Sequence, residues 1–471
     1  MNESSQKASV SIQESPEYSW KIRSLSRAES AWRFLKIIVF LICISCLLNQ
    51  AVEFYKTYYT YPTNVNINVV SKKDIIIPTA TFCYKNRIHR SDFCARYPYL
   101  CQTPNKLKEF CAKHYHFCDG EDDTDLKIPK LGYYANNSKE VRKIAQQILF
   151  NHTTDLPSQF CERDNMSLCS DVTVTFVQSG VNEYLKCFSE NLYLFNVEEE
   201  PATMELDKFS FSGYTIYRYG LNLTHQQLFY PWDTPQIYFA LHSPFNPINA
   251  VFEGVPIKPG YDYTIKVYRK EDHILPSPYK TNCTDYRASW KSNNSTRATS
   301  QEMCYELCKQ DFFLACIGCD LGVTMHMSTN NMCNKRYHGC GHSRGSYGYL
   351  KSIQDACMRD CRPECVKLKY EYTTQITAKD PQLEDEEDDS NDIVGVIVYV
   401  KNDEVTVMSH KPLYGSFGEL FSYIGGLMGC WLGISVWAFT GIVEKTCRRT
   451  VKLKRNISYR RSLRSSNKES P

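Results

Sequence analysis

The sequence predicts a membrane protein of the α+β class, with two transmembrane helices flanking a large disulfide-rich ectodomain built on a central β-sheet. Residues 417–443 carry no charge apart from Glu419 and are long enough to cross a bilayer core of roughly 30 Å, which takes about 20 helical residues. A second apolar run, 37–48, lies near the other end of the chain. Between the two stand eighteen of the 22 cysteines, an even number suited to complete pairing. Seven N-x-S/T sequons, at Asn136, Asn151, Asn165, Asn222, Asn282, Asn293 and Asn294, point with them to an oxidising, glycosylated compartment. The net charge of +3 gives no overall basic character that would suggest nucleic acid.

In chain order, residues 1–32 form a polar, serine-rich lead that contains Lys7, Lys21, Arg23 and Arg27, read as a cytoplasmic tail. Residues 33–55 are read as the first transmembrane helix. A cleaved signal peptide is the rival reading, but no small-x-small site directly follows Leu48. Basic residues recur after the second span, in 445–471, and basic flanks stay cytoplasmic. Both termini are therefore expected inside and residues 56–412 outside, with the basic tail also attracted to anionic lipid.

The exterior divides into three stretches. In the first, 65–70 alternates apolar and polar residues as a half-buried strand does, and 75–83 reads as a further strand ending at Cys83. Cys94, Cys101, Cys111 and Cys118 are spaced by six, nine and six residues, which suggests a disulfide-held excursion. Residues 139–150 place Val141, Ile144, Ala145 and Ile148 on one face of a short helix. Two more cysteines, Cys161 and Cys169, precede the second stretch, and Cys187 lies within it. That stretch, 172–270, is rich in β-branched and aromatic residues at 172–177, 237–241 and 261–268, and is read as the central sheet.

The third stretch, 283–365, packs ten cysteines into 83 residues: Cys283, Cys304, Cys308, Cys316, Cys319, Cys333, Cys340, Cys357, Cys361 and Cys365. Cys304/Cys308 and Cys357/Cys361/Cys365 recur every four residues, the spacing of one helical face, so two helices stapled together are expected. Cys316, Cys319, Cys333, His338, Cys340 and His342 also crowd as zinc ligands would. The even cysteine count outside the cell favours disulfides, and neither metal nor cofactor is expected. No Gly-rich phosphate loop, G-x-S-x-G or H-E-x-x-H occurs, so no catalytic residue is assigned and the chain is not read as an enzyme. The acidic run 384–389 is read as a solvated loop before a strand at 393–400.

Residues 413–444, taken as the second span and its flanks, hold Gly425, Gly426, Gly429, Gly433 and Gly441. Glycine loosens a plain anchor, yet lets helices approach closely or lets the backbone turn carbonyls toward a lumen. On these residues alone an anchor, a G-x-x-x-G dimer and a pore all remain open.

The order of parts from Trp32 to Glu444 resembles the degenerin/epithelial sodium channel family of amiloride-sensitive channels, nearest to its acid-sensing and peptide-gated members. The resemblance rests on Tyr61-Pro62, on residues 77–83 (IPTATFC), on residues 361–365 (CRPEC) leading to Tyr370-Glu371, and above all on residues 424–435 (IGGLMGCWLGIS). It implies a trimer with an extracellular palm, thumb, finger, knuckle and β-ball, 283–365 being thumb-like, in the plasma membrane. The ion path would be lined by the second span, with Gly433-Ile434-Ser435 as a constriction where carbonyls replace part of an ion's hydration shell. Sodium is the implied ion, with calcium a second candidate; identical or sibling subunits, amiloride-like blockers and an extracellular peptide or proton are the implied partners. Tyr58 and Tyr279 match the aromatic pair that couples thumb to membrane helices in acid-sensing members.

The sequence also departs from the family. The His-Gly pair before the first helix is replaced by residues 25–30, LSRAES. Tyr423 stands where an acidic residue is often found, and Glu419 lies one turn above on the same helical face, where three copies would ring the outer mouth with carboxylates. The inner acidic position falls on Gly441, with Glu444 three residues on, so weaker sodium selectivity is expected. Surface carboxylates titrate near pH 4, so Glu364 or the 384–389 run would sense protons near neutrality only if buried or paired with like charge. The competing readings are a non-conducting two-pass receptor or adhesion protein and a silent subunit of a heteromeric channel.

Overall fold

A computed structural model describes residues 16–452 apart from 86–87, 119–124, 151–157, 164–166, 169–171, 181–182, 195–199, 207–212, 224–227, 294–297, 323–324, 326–331, 334–343, 380–392, 434–444, 447 and 451. In chain order, α1 (Pro16–Tyr58) leads to β1 (Thr63–Ser71), β2 (Asp74–Ile76) and β3 (Thr79–Tyr84). An excursion of α2 (Arg90–Arg96), β4 (Cys101–Gln102), α3 (Leu107–Lys113), β5 (Ile128–Pro129) and α4 (Lys139–Leu149) follows. Next come β6 (Ser158–Arg163), β7 (Ser167–Leu168), β8 (Val172–Gly180), β9 (Glu183–Glu190), β10 (Thr203–Glu205), β11 (Tyr214–Asn222) and β12 (Ile237–His242). After α5 (Ala250–Glu253) lie β13 (Val255–Ile257) and β14 (Tyr261–His273), then α6 (Tyr286–Asn293), α7 (Gln301–Ile317) and α8 (Arg344–Asp360). The chain closes with β15 (Val366–Ala378), β16 (Ile393–Pro412) and α9 (Phe417–Leu432). These elements form two compact units, residues 1–64 with 412–471, and residues 65–411.

The larger unit is built on two sheets. One runs β15-β14-β16-β11-β6-β7 with β1 on the flank of β16, and the other β13-β12-β3-β9-β8. Their facing sides share one core in which Phe82, Phe188 and Phe239 meet Tyr217, Ile265 and Val398. The period-2 burial of Val394, Val396, Val398 and Val400 along β16 is what a strand with one covered face requires. Each such aromatic or β-branched side chain contributes on the order of 1.5–3 kcal/mol by leaving water.

Three expectations are corrected. Residues 172–270 do not make a single sheet: β8 and β12 belong to the five-stranded sheet and β14 to the seven-stranded one. Alternation identifies a covered face without identifying the partner strand, so the sequence pattern could not separate them. Residues 75–83 are not one strand, because Pro78 has no N–H for the ladder and the chain breaks into β2 and β3. The break is held from outside: Asn191 Nδ2 donates to the Ile77 carbonyl at 2.6 Å, and the Tyr217 hydroxyl donates to that of Pro78 at 2.9 Å. Nor do Cys357, Cys361 and Cys365 share one helix, since α8 ends at Asp360.

The described disulfides join Cys83–Cys187, Cys94–Cys101, Cys111–Cys118, Cys283–Cys365, Cys304–Cys361, Cys308–Cys357 and Cys319–Cys333. Cys304–Cys361 and Cys308–Cys357 tie α7 to the last turn of α8 and the residue just past it, while Cys365 reaches back to Cys283. Cys316 is also disulfide-bonded, so Cys316, Cys319 and Cys333 have spent the thiolates a zinc ion would need. Cys43, Cys46 and Cys430 are free thiols. Cys169, Cys340, Cys447, His338, His342, the 384–389 run, Asn151, Asn165 and Asn294 lie outside the described residues, as do the side chains of Cys161 and Asn293. Asn136 and Asn222 are exposed and Asn282 is half-buried.

The helices start where their caps dictate. In α4 the Ser138 hydroxyl accepts the Glu140 N–H at 3.3 Å, and Val141 and Ala145 are buried. In α7 the Ser300 hydroxyl accepts the Met303 N–H at 3.0 Å, and Gly318 ends the helix in the left-handed region at φ +76°.

Candidate functional site

The smaller unit pairs α1 with α9. Of the described helices, only the Ser30–Tyr58 part of α1 is long and apolar enough to cross a membrane. Most of that surface is exposed, Leu41 and Ile42 among it, as a lipid-facing helix would leave it. A narrower stripe is covered: Cys43, Leu47, Gln50, Phe54 and Tyr58 recur at intervals of three and four residues and are half-buried or buried.

Opposite them, α9 covers Leu420, Leu427 and Trp431. Phe54 is 7% exposed; its ring stacks on Tyr423 with centroids 4.0 Å apart and meets the edge of Tyr414 at 5.1 Å. Such a pair contributes about 0.5–1.5 kcal/mol beyond its area. Deeper along the helices, Trp431 Nε1 donates to Gln50 Oε1 at 2.7 Å. A polar side chain in an apolar span is costly unless partnered, so this bond fixes the register of the two helices. A double-mutant cycle of Gln50→Leu and Trp431→Phe is expected to give a coupling energy of about 0.6–1.7 kcal/mol in thermal unfolding. Additive effects would remove the bond's role.

The other side of α9 is bare. Gly425, Gly426 and Gly429 are exposed, and a Cβ added to any of them would meet nothing within 4 Å. With 3.6 residues per turn, Ser422, Gly425 and Gly429 point away from Leu420, Leu427 and Trp431. The helix thus has an aromatic face turned to α1 and a glycine face with no partner among the described residues.

Both ends of α9 are specified locally. Ser416 Oγ accepts the Glu419 N–H at 3.2 Å, and Glu419 Oε2 accepts the Gly415 N–H at 3.0 Å, so the carboxylate helps to cap the helix as well as lying exposed. At the far end Gly433 turns left-handed, φ +59° and ψ +21°, its N–H still bonded to the Gly429 carbonyl at 3.1 Å. An L side chain in that region costs about 1–2 kcal/mol, which glycine avoids. Ile434, Ser435, Gly441 and Glu444 lie outside the described residues.

Tyr58 is half-buried, with its ring 6.2 Å from that of Phe54, 5.6 Å from Tyr59 and 6.3 Å from Tyr414. In the larger unit Tyr279 is half-buried in a tight loop, its N–H donating to the Pro276 carbonyl at 3.2 Å. The Phe54–Tyr423 stack and the Trp431–Gln50 bond escaped the sequence reading. A glutamine within 33–55, the stretch expected to form the first span, was the available signal for the second.

A family model described as "Amiloride-sensitive sodium channel" matches residues 21–444. The chain belongs to that family of membrane ion channels. No curated protein matches the sequence. Among solved structures, a cryo-EM structure of a proton-activated chloride channel is similar at 7% identity, over 88% of this chain and 99% of that chain, with a TM-score of 0.31.

Proposed function

We propose that the protein is a subunit of a trimeric, sodium-permeable channel of the plasma membrane, opened from outside by a peptide or a proton and blocked by amiloride-like compounds. Residues 33–55 and 413–444 span the membrane, 56–412 lie outside, and 1–32 and 445–471 face the cytoplasm. The observation that carries this reading is the division of α9 into an aromatic face against α1 and an unpartnered glycine face that ends at left-handed Gly433. Non-helical backbone at membrane depth is tolerated where it lines a water-filled cavity. Three copies of that glycine face suit the wall of such a cavity, and Gly433-Ile434-Ser435 then forms its narrow belt. Tyr58 and Tyr279 couple the exterior to the spans.

Expression in oocytes, alone and with sibling subunits, tests the proposal under acid, peptides and amiloride. An evoked, amiloride-blocked cation current supports it. No current in any combination, with protein present at the surface, overturns it in favour of the non-conducting receptor. In the conducting case Glu419→Gln, which keeps an acceptor for the Gly415 N–H, is expected to lower single-channel conductance or calcium block. Unchanged values of both would remove the carboxylate ring.

A further inference from the structure

The sequons are alike in sequence, but the fold separates them. Asn136 and Asn222 are exposed. Asn282, in Asn282-Cys283-Thr284 between β14 and α6, is half-buried and left-handed at φ +39°, a region asparagine enters more readily than most side chains. The backbone around it is engaged residue by residue. The Asn282 N–H donates to the Tyr279 carbonyl at 3.0 Å, and the Cys283 N–H to that of Leu275 at 3.3 Å, which also accepts the Thr281 hydroxyl at 2.6 Å. The Thr284 N–H donates to the Pro363 carbonyl at 2.8 Å, and the Thr284 carbonyl accepts the Cys365 N–H at 3.2 Å.

The Cys283–Cys365 bridge lies beside these bonds, with Cys283 buried. The strap it reaches, 361–365, is itself tied to α7. Cys361 is bridged to Cys304, and Glu364 Oε1 accepts the N–H of Gln301, the first residue of α7, at 2.9 Å. An N-x-S/T acceptor has to be presented as an accessible loop. In the folded chain residues 281–284 can be presented that way only if the bonds to 363–365 break, and the bridge holds the two segments together. During synthesis the same residues are free. Cys365 follows Cys283 by 82 residues, about 4–16 s at roughly 5–20 residues per second. In that interval neither the bridge nor the Thr284 bonds can exist, because their partners have not been made.

We propose that Asn282 is a conditional glycosylation site, open while Cys283 and Cys365 are thiols and closed once they pair. This rests on the reading that 56–412 lie outside, and so pass through an oxidising lumen. In the modification, Asn282 Nδ2 takes C1 of an oligosaccharide carried on a lipid pyrophosphate. The C1–N bond forms, the C1–O bond to phosphate breaks, the lipid pyrophosphate leaves and the amide gives up one proton. In the closing step the two thiols give two electrons and two protons to a disulfide oxidant of the oxidoreductase class, which becomes a dithiol. The order of the two steps on each chain is set by their rates. A chain that bridges first keeps Asn282 bare.

Glycopeptide mass spectrometry of the full-length chain from eukaryotic cells, taken as total protein whether folded or retained, tests this. Cys365→Ser leaves the sequon intact and removes the bridging partner. Occupancy of Asn282 should rise several-fold over wild type while that of Asn136 stays constant. Cys94→Ser/Cys101→Ser opens a bridge elsewhere and should leave Asn282 as in wild type. No glycan at Asn136, Asn222 or Asn282 in any chain would overturn the proposal through the topology it rests on. With Asn136 or Asn222 occupied, three results overturn it alone: full occupancy of Asn282 in wild type, no rise in Cys365→Ser, or an equal rise in Cys94→Ser/Cys101→Ser.

Discussion

Gly433→Ala is expected to lower whole-cell current about 5- to 30-fold at equal surface expression. The left-handed conformation of residue 433 costs an L side chain about 1–2 kcal/mol, a factor of roughly 5–30 in the population of the native backbone. The space around the residue is open, since an added Cβ meets nothing within 4 Å. The loss therefore comes from the backbone and not from a clash. Asparagine visits the left-handed region more readily, so Gly433→Asn should retain more current than Gly433→Ala. Current normalised to surface-labelled protein measures this, and a wild-type value for Gly433→Ala would show that the turn at 433 does not shape the ion path.

Removing the Cys83–Cys187 bridge with Cys83→Ala/Cys187→Ala is expected to destabilise the larger unit by roughly 5 kcal/mol. The bridge closes a loop of 104 residues, and in the chain-entropy account the constraint grows with the logarithm of loop length. It also joins directly paired residues of β3 and β9, both fully buried, inside the five-stranded sheet. The Cys94–Cys101 bridge closes a separation of only 7 residues and should contribute about 2.5 kcal/mol by the same account. With domain stabilities of about 5–15 kcal/mol, the first loss should abolish surface delivery and the second leave folded protein. Thermal unfolding of the purified chain ranks the two, and equal losses would show that loop length is not what matters here.

Much of the fold was legible in the sequence because its signals are local. The amphipathic helix at 139–150 and the strands at 237–241 and 261–268 follow from hydrophobic period, whereas 65–70 is a strand whose apolar residues Val65, Ile67 and Val69 are exposed and not half-buried as the alternation suggested. That two helices, α7 and α8, are stapled together follows from cysteine spacing, although the second set of cysteines runs past the end of α8. Glycine spacing in 417–443 marked α9 as unusual before any partner helix was known. Glu364 could be singled out in the sequence, but not that its carboxylate accepts the N–H of Gln301 at the start of α7, 63 residues earlier.

By itself the sequence determined the two apolar runs, the even set of cysteines between them and the glycine spacing of α9, since each depends on residue chemistry within a few positions. Tertiary structure alone decided which sheet each strand joins, that Cys83 meets Cys187, that Phe54 stacks on Tyr423, and that Glu364 reaches the first residue of α7. These depend on contacts between residues tens to hundreds of positions apart. A hydrophobic or titratable side chain records that it needs a partner, but only the folded chain supplies one.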